Sequence, residues 1–372
     1  MTSGPNDGKT RDREARDFLA RLWRLENEER PGFVIGDLGP GGNGVTSSLF
    51  SKGRSGESLR ERLLDPDRYL AAQMAEIAEQ AAVAGDYVPA LCPSLGVVAI
   101  PSAFGCPIVW SDDAFPAARP IVGDDPERVF DLPRPRVTDG LLGRILDYTA
   151  YFRARTGLPV RVTDIQGPLD SAALVHGHTE FLLAMRTAPA AVEHLLGLVT
   201  DLTIDFVRAQ REAAGEFVPS LFQPWMPDGL GLSLSNDDGV MISAACHDRF
   251  AVPFVNRISR AFGGVYLHSC GNWEHLLPSL EKIENLRGLE FGAGETSFPA
   301  VEARFGGRLV RSTRVGLNRD IHFRSIADYV RSILAQKRTN RGLFIQVDIT
   351  NGIPGDDWVG TTLDEVYALV GG

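Results

Sequence analysis

Apolar residues recur along this chain at two periods. Stretches with apolar positions three and four residues apart alternate with short runs of Val, Ile, Leu and Phe that end in glycine or a polar group, the marks of amphipathic helices and buried strands. RDREARDFLARLWRLENEER (11–30) opens as a helix, and GFVIGDLG (32–39) follows as a strand running into GPGGNG. A helix over 67–85 closes on glycine, and YVPALCP (87–93) reads as a second strand. Residues 94–135 are rich in Pro and Gly and of mixed character. Helix 140–157, a strand and loop over 160–170, helix 188–215, strand 229–239 and helix 247–264 come next, then VYLHSCGN and a short helix. LRGLEFGAGE, RLVRSTRVGLN and GLFIQVDITNG continue the alternation, with helical FPAVEARFGG, SIADYVRSILAQKRT and TLDEVYALV among them. The strands centre near residues 35, 90, 163, 233, 267, 290, 311 and 346. Eight strands interleaved with helices predict an α/β fold, a (β/α)8 TIM barrel with an N-terminal helical extension. A doubly wound open sheet is the competitor, but no GxGxxG follows a first strand, so no nucleotide cofactor is evident.

Composition narrows the class. The 372 residues carry 38 Lys+Arg against 48 Asp+Glu, a net charge of −10. That balance disfavours nucleic acid and anionic membranes as partners, because both demand clustered positive charge. No apolar run approaches the roughly 20 residues of a membrane span. The polar start MTSGPNDGKTRDREAR is no signal peptide; residues 1–15 read as a flexible tail and 16–372 as a single barrel domain. Cys92, Cys106, Cys246 and Cys270 are too few and too scattered for a disulfide framework, so a cytoplasmic setting is expected, as a monomer or homodimer.

In a barrel, chemistry gathers where strands end. Asp37, Gln166, Asn236, Asp237, Asp238, His268, Cys270, Glu290 and Asp348 all sit at or just past predicted strand ends. His268 and Cys270 are two apart, so on a strand they share a face, and Gly271 lets the chain turn behind them. Two metal ligands would be presented this way, or a nucleophile with its base. A hydrogen-bonded histidine beside a small buried thiol is the plainer alternative, and Asp237–Asp238 could equally cap the helix that follows.

The run NDDGVMISAACHDRFAVPFVNRISRAFGGVYLHSCGNWEHLLPSLEKI resembles the uroporphyrinogen decarboxylase-like superfamily, and more closely its branch of zinc- and corrinoid-type methyltransferases. The shared features are the acidic strand end Asp237–Asp238, the Ile242–Ser243 segment, a helix, and a strand ending His268-Ser269-Cys270-Gly271. Upstream, VTDIQGPLDSAALVHGHTEFLLAMRTAPAAVEHLLGLV also resembles the family pattern, so the likeness spans roughly residues 86–370. It implies a (β/α)8 barrel, Zn2+ held by His268 and Cys270, and methyl transfer on a small substrate, with any corrinoid carried by a partner protein. Two departures stand out. FVIGDLGPGGN lacks the arginine with which the decarboxylases bind porphyrin carboxylates, and GLFIQVDITNGIP lacks the third cysteine of the zinc methyltransferases. Asp348 therefore becomes the leading third ligand, with Glu290 and then Cys246 behind it. Asp237 and Asp238 are the candidate acid–base pair, and Asp37, Gln166, Asn236 and Asn272 the candidate substrate contacts. Decarboxylation or another lyase reaction on a small carboxylic acid is the alternative activity, and a non-catalytic binding barrel a third.

Overall fold

Seven of the eight predicted strands are present among the described residues, and the short strand Phe217–Val218 was not predicted. Together they are β1 (Gly32–Gly36), β2 (Val160–Arg161), β3 (Phe217–Val218), β4 (Leu232–Ser235), β5 (Val265–Ser269), β6 (Leu286–Gly292), β7 (Val310–Val315) and β8 (Leu343–Asp348). The computed structural model describes residues 5–36, 57–81, 85–315, 325–348 and 368–370. Six strands form one parallel sheet in the order β1-β8-β7-β6-β5-β4. Helices cover it, which is why strands such as β5 are buried at every position. A helix over Pro5–Trp23 precedes β1. Among the described residues, no helix is long and apolar enough to cross a membrane.

Isolated bridges carry the ring from β4 back to β1. Gln166 pairs with Ser235, Leu91 with Val160 and Val34 with Gly85, while β2 pairs in parallel with β3. The predicted strand 87–93 is therefore extended chain with single bridges rather than a regular strand. The reason lies in its sequence: Pro89 and Pro93 have no N–H to donate to a ladder. Side chains of the helix Pro66–Ala81 substitute for the missing neighbour. Gln73 Nε2 donates to the Cys92 carbonyl at 2.9 Å, Gln73 Oε1 accepts from the Cys92 N–H at 2.7 Å, and Tyr69 OH donates to the Cys92 and Ser94 carbonyls.

Two other predicted segments resolve differently. The helix expected over 247–264 is two helices, Ala244–Phe250 and Val252–Phe262, because Pro253 suits a helix's first turn and not its middle. The second ends on Gly263 in the left-handed conformation, φ 82°. The Pro/Gly-rich 94–135 stretch holds a short helix, Ala99–Ala103, a small antiparallel pair, Ile108–Val109 with Ala117–Ala118, and a 3-10 turn, Pro126–Asp131.

Replacing Gln73 by Leu keeps the volume but strands the buried Cys92 N–H. Such a loss costs about 1–3 kcal/mol, and urea unfolding of Gln73→Leu against wild type is expected to show it. No measurable change would mean that the 87–93 segment does not rely on this pairing.

Candidate metal centre

Strand register assembles the site. Ser235 on β4 is the partner of His268 on β5, and His268 is the partner of Glu290 on β6. Partners on adjacent strands project to the same face, so the imidazole and the carboxylate meet. His268 Nδ1 contacts Glu290 Oε2, and both side chains are buried. An imidazole anchored through one nitrogen turns the other outward. His268 Nε2 lies 3.3 Å from Cys270 Sγ and 3.7 Å from Asp237 Oδ1. Cys270 sits just past β5, exposed, and its N–H donates to Asp237 Oδ1 at 2.6 Å. One donor atom from each of Asp237, His268 and Cys270 falls within 4.8 Å of the others. The Phe222 ring stacks on the imidazole with centroids 4.3 Å apart, closing that side to water.

Behind the histidine, Glu290 is held from three strands. Arg314 Nε, on β7, pairs with Oε1, and Gln346 Nε2, on β8, donates to the same oxygen at 3.1 Å. Gln346 also donates to Ser312 Oγ at 2.7 Å. Arg314 Nη2 reaches to 3.9 Å from Cys270 Sγ, placing a permanent positive charge beside the thiol. Burial opposes protonation of His268, but Glu290 and then Asp237 outweigh it and push its pKa up to about 10.

Asp237 comes from a 3-10 turn, Asp237–Met241, that follows β4. Asn236 begins it, buried, with Nδ2 facing His247 Nε2 at 3.3 Å. His247 Nδ1 meets Ser279 Oγ at 2.7 Å, and that hydroxyl donates to Asp248 Oδ1 at 2.6 Å. The serine's own donor is thus committed to Asp248, so the proton between the two sits on Nδ1 and Nε2 accepts from Asn236.

The model of the uroporphyrinogen decarboxylase (URO-D) family matches residues 48–296. The chain belongs to the URO-D family. Its structure is similar to that of a methyltransferase from Methanosarcina mazei, with a TM-score of 0.65 and 14% sequence identity over 89% of this chain and 92% of that one. At that identity the likeness establishes the shared barrel fold. None of the curated proteins compared matches the sequence.

Asp237, His268 and Cys270 all lie inside the matched segment; Arg314 and Gln346 lie beyond it. Of the residues singled out from sequence, Glu290 stands behind His268 on Nδ1, and the third donor facing Nε2 and Sγ is Asp237. Asp238 turns to His178, its Oδ2 3.2 Å from Nδ1. Gln166 is buried and donates to Asp164 Oδ1 at 2.8 Å and Ser235 Oγ at 3.3 Å. Asn272 is exposed, its Oδ1 accepting from the Glu274 N–H at 2.9 Å. Cys246 lies in the helix Ala244–Phe250, away from the cluster. Asp348 closes β8 as the partner of Gly36, with its side chain outside the described residues, as is the whole of Asp37.

Sequence reading missed Asp164, Asp170, Phe222, Arg314 and Gln346. Asp164 is half-buried at a barrel strand end; burial pushes its pKa up to about 6, restrained by the Gln166 hydrogen bond. Arg314 did carry a signal, since a charged residue inside an otherwise strand-like run is rarely buried without a partner.

His247 gives a pH test. Burial pulls its pKa down to about 4 from the usual 6.5. Between those values the unfolded chain binds more protons, so stability is present above pH 6.5 and is lost on acidification. The loss is about 2 kcal/mol between pH 7 and pH 5. His247→Gln is expected to flatten this part of the pH dependence in urea unfolding at the two pH values. An unchanged slope would mean that His247 is protonated in the folded protein.

Proposed function

We propose that this chain is a zinc-dependent methyltransferase acting on a small substrate, with a corrinoid on a partner protein as the methyl carrier. The observation carrying this reading is the convergence of His268 Nε2, Cys270 Sγ and Asp237 Oδ1 in front of a histidine braced from behind by Glu290. A tetrahedral ion with bonds of about 2.0–2.3 Å separates its donors by about 3.3–3.8 Å. The imidazole stands 3.3 Å from the sulfur and 3.7 Å from the carboxylate, two separations that suit zinc, and all three donors lie within 4.8 Å of one another. One thiolate, one imidazole and one carboxylate leave a coordination position open, as in catalytic rather than structural sites.

Bound zinc supplies Lewis acidity, lowering the pKa of a substrate heteroatom so that it can act as a nucleophile at neutral pH. The rest falls to the protein. Glu290 keeps the Nδ1 proton of His268 in place and so directs Nε2 toward the ligand position. Arg314 and Gln346 keep Glu290 oriented. Phe222 shields the imidazole face. Asp164, with its pKa near 6, can hold or release a proton just beyond β2. That last feature favours a second reading, decarboxylation of a small carboxylic acid with Asp164 or Asp238 as proton donor, since burial raises the Asp238 carboxyl as well.

Protein purified without chelator is expected to contain about one zinc per chain by mass spectrometry, the occupancy of a single three-ligand site. Cys270→Ser and Asp237→Asn should lose it, and Glu290→Gln should weaken binding about 10- to 100-fold. Asp348→Ala, measured alongside, reports whether the end of β8 reaches the same ion. Zinc-dependent demethylation of methylcobalamin by a panel of small thiols and amines then tests the transfer. Metal-free protein that takes up no added zinc would end the methyltransferase reading; bound zinc with no transfer would favour the lyase.

A further inference from the structure

We propose that Asp170 is a positioning residue, which holds Asp237 against Cys270 and His268. Its functional meaning rests on the zinc reading, but its geometry stands without it.

A 3-10 turn, like a helix, begins with backbone N–H groups that have no partner within the turn. The residue just before it normally supplies an acceptor from its own side chain. Asn236 occupies that position and makes no such bond; its side chain is turned to His247 through Nδ2. The acceptor comes instead from Asp170, far away in sequence. Asp170 Oδ2 accepts from the Asp237 N–H at 3.0 Å and Oδ1 from the Asp238 N–H at 2.8 Å. Both oxygens of one buried carboxylate are thus spent on consecutive backbone groups. From there Asp237 Oδ1 reaches the Cys270 N–H at 2.6 Å, completing a path from Asp170 to the donor cluster.

Asp170 is itself fixed. It lies in the first turn of the helix Pro168–His176, whose start is pressed on the end of β4. The Gly167 N–H donates to the Ser235 carbonyl at 2.9 Å, and a Cβ on Gly167 would meet that same oxygen at 2.3 Å. Glycine is required there by close approach. The helix and the turn therefore share one anchor, the last residue of β4.

The arrangement is electrostatically unfavourable in isolation. Asp170 is buried close to Asp237 and Asp238, and among the described residues no Lys or Arg forms an ion pair with it. Burial, and then the neighbouring Asp237 and Asp238, push the Asp170 carboxyl well above the usual carboxylate range, and the two N–H donors oppose that shift. Asparagine in its place would offer one acceptor and one donor, and so could serve only one of the two N–H groups.

The test is amide hydrogen exchange on metal-free protein, combined with Zn2+ and Co2+ titration of wild type and Asp170→Asn. In wild type, the Asp237 and Asp238 amides should be protected. In Asp170→Asn, at least one should exchange faster. Zn2+ affinity should fall about 10- to 100-fold, while the cobalt–thiolate charge-transfer band survives at saturating Co2+, showing Cys270 still bound. Unprotected amides in wild type would overturn the proposal, whether or not the variant folds. So would a folded variant with unchanged exchange and affinity. Wild type that binds neither metal, with exchange still accelerated in Asp170→Asn, would reject the zinc reading while supporting Asp170 as the anchor of the turn.

Discussion

Glu290 is the constraint on which the rest of this site depends. Its carboxylate is fully buried, and an ionised group in that position is tolerated only when paired and hydrogen-bonded. Its partners come from three other strand positions: His268 on β5, Arg314 on β7 and Gln346 on β8. The acid can be satisfied only if β5 to β8 hold their register. A one-residue slip in any of them would turn a partner to the wrong face. The pairing that specifies the barrel is therefore also the pairing that aims Nε2 of His268. Loss of Glu290 would strand a buried guanidinium as well as free the imidazole, so its effects on folding and on the aim of Nε2 are coupled by construction.

The donor cluster has two kinds of support. His268 belongs to a strand and inherits the stiffness of the sheet. Asp237 belongs to a short turn past a strand end, where backbone order must be imposed from outside. Asp170 imposes it on one side. On the other, Asn236 is fixed by a hydrogen-bond chain through His247 and Ser279 to Asp248, which pairs at the surface with Lys282. Cys270, the exposed member, lies between them, tied to Asp237 through its N–H. The two strand ends, β4 and β5, are adjacent in the sheet, which is why residues more than thirty positions apart share one centre.

Much of this was legible in the sequence. Strand–helix alternation gave the barrel and seven of its strands but not Phe217–Val218, and period-two spacing put His268 and Cys270 on one face. The extended character of 87–93 was visible too, although its two prolines kept it from forming a ladder. What could not be read was which acid faces His268 Nε2 and Cys270 Sγ. Glu290 and Asp237 both lie near strand ends, and only the stagger between β5 and β6 puts one behind the imidazole while a turn brings the other in front. Asp170 was hidden for a related reason. In GPLD it looks like an ordinary acid in a helix's first turn, where a carboxylate is favoured by the dipole alone. Its partners are the backbone amides of a distant turn, which leave no mark on side-chain sequence.

Family membership and activity separate at the charges. A polycarboxylate such as a porphyrinogen calls for several uncommitted cations around the reacting group. Among the described residues, the two positive groups at this centre are His268 and Arg314, and Glu290 engages both. The surrounding side chains are the acids Asp164, Asp170, Asp237, Asp238 and Glu295, and burial raises the carboxyls of Asp164, Asp170 and Asp238. They add no cation that could meet an acidic tetrapyrrole. The fold is shared across the family, but function resides in the site placed on it. Here that site brings one thiol, one imidazole and one carboxylate together, and among the described residues it offers no uncommitted cation of the kind a porphyrinogen requires.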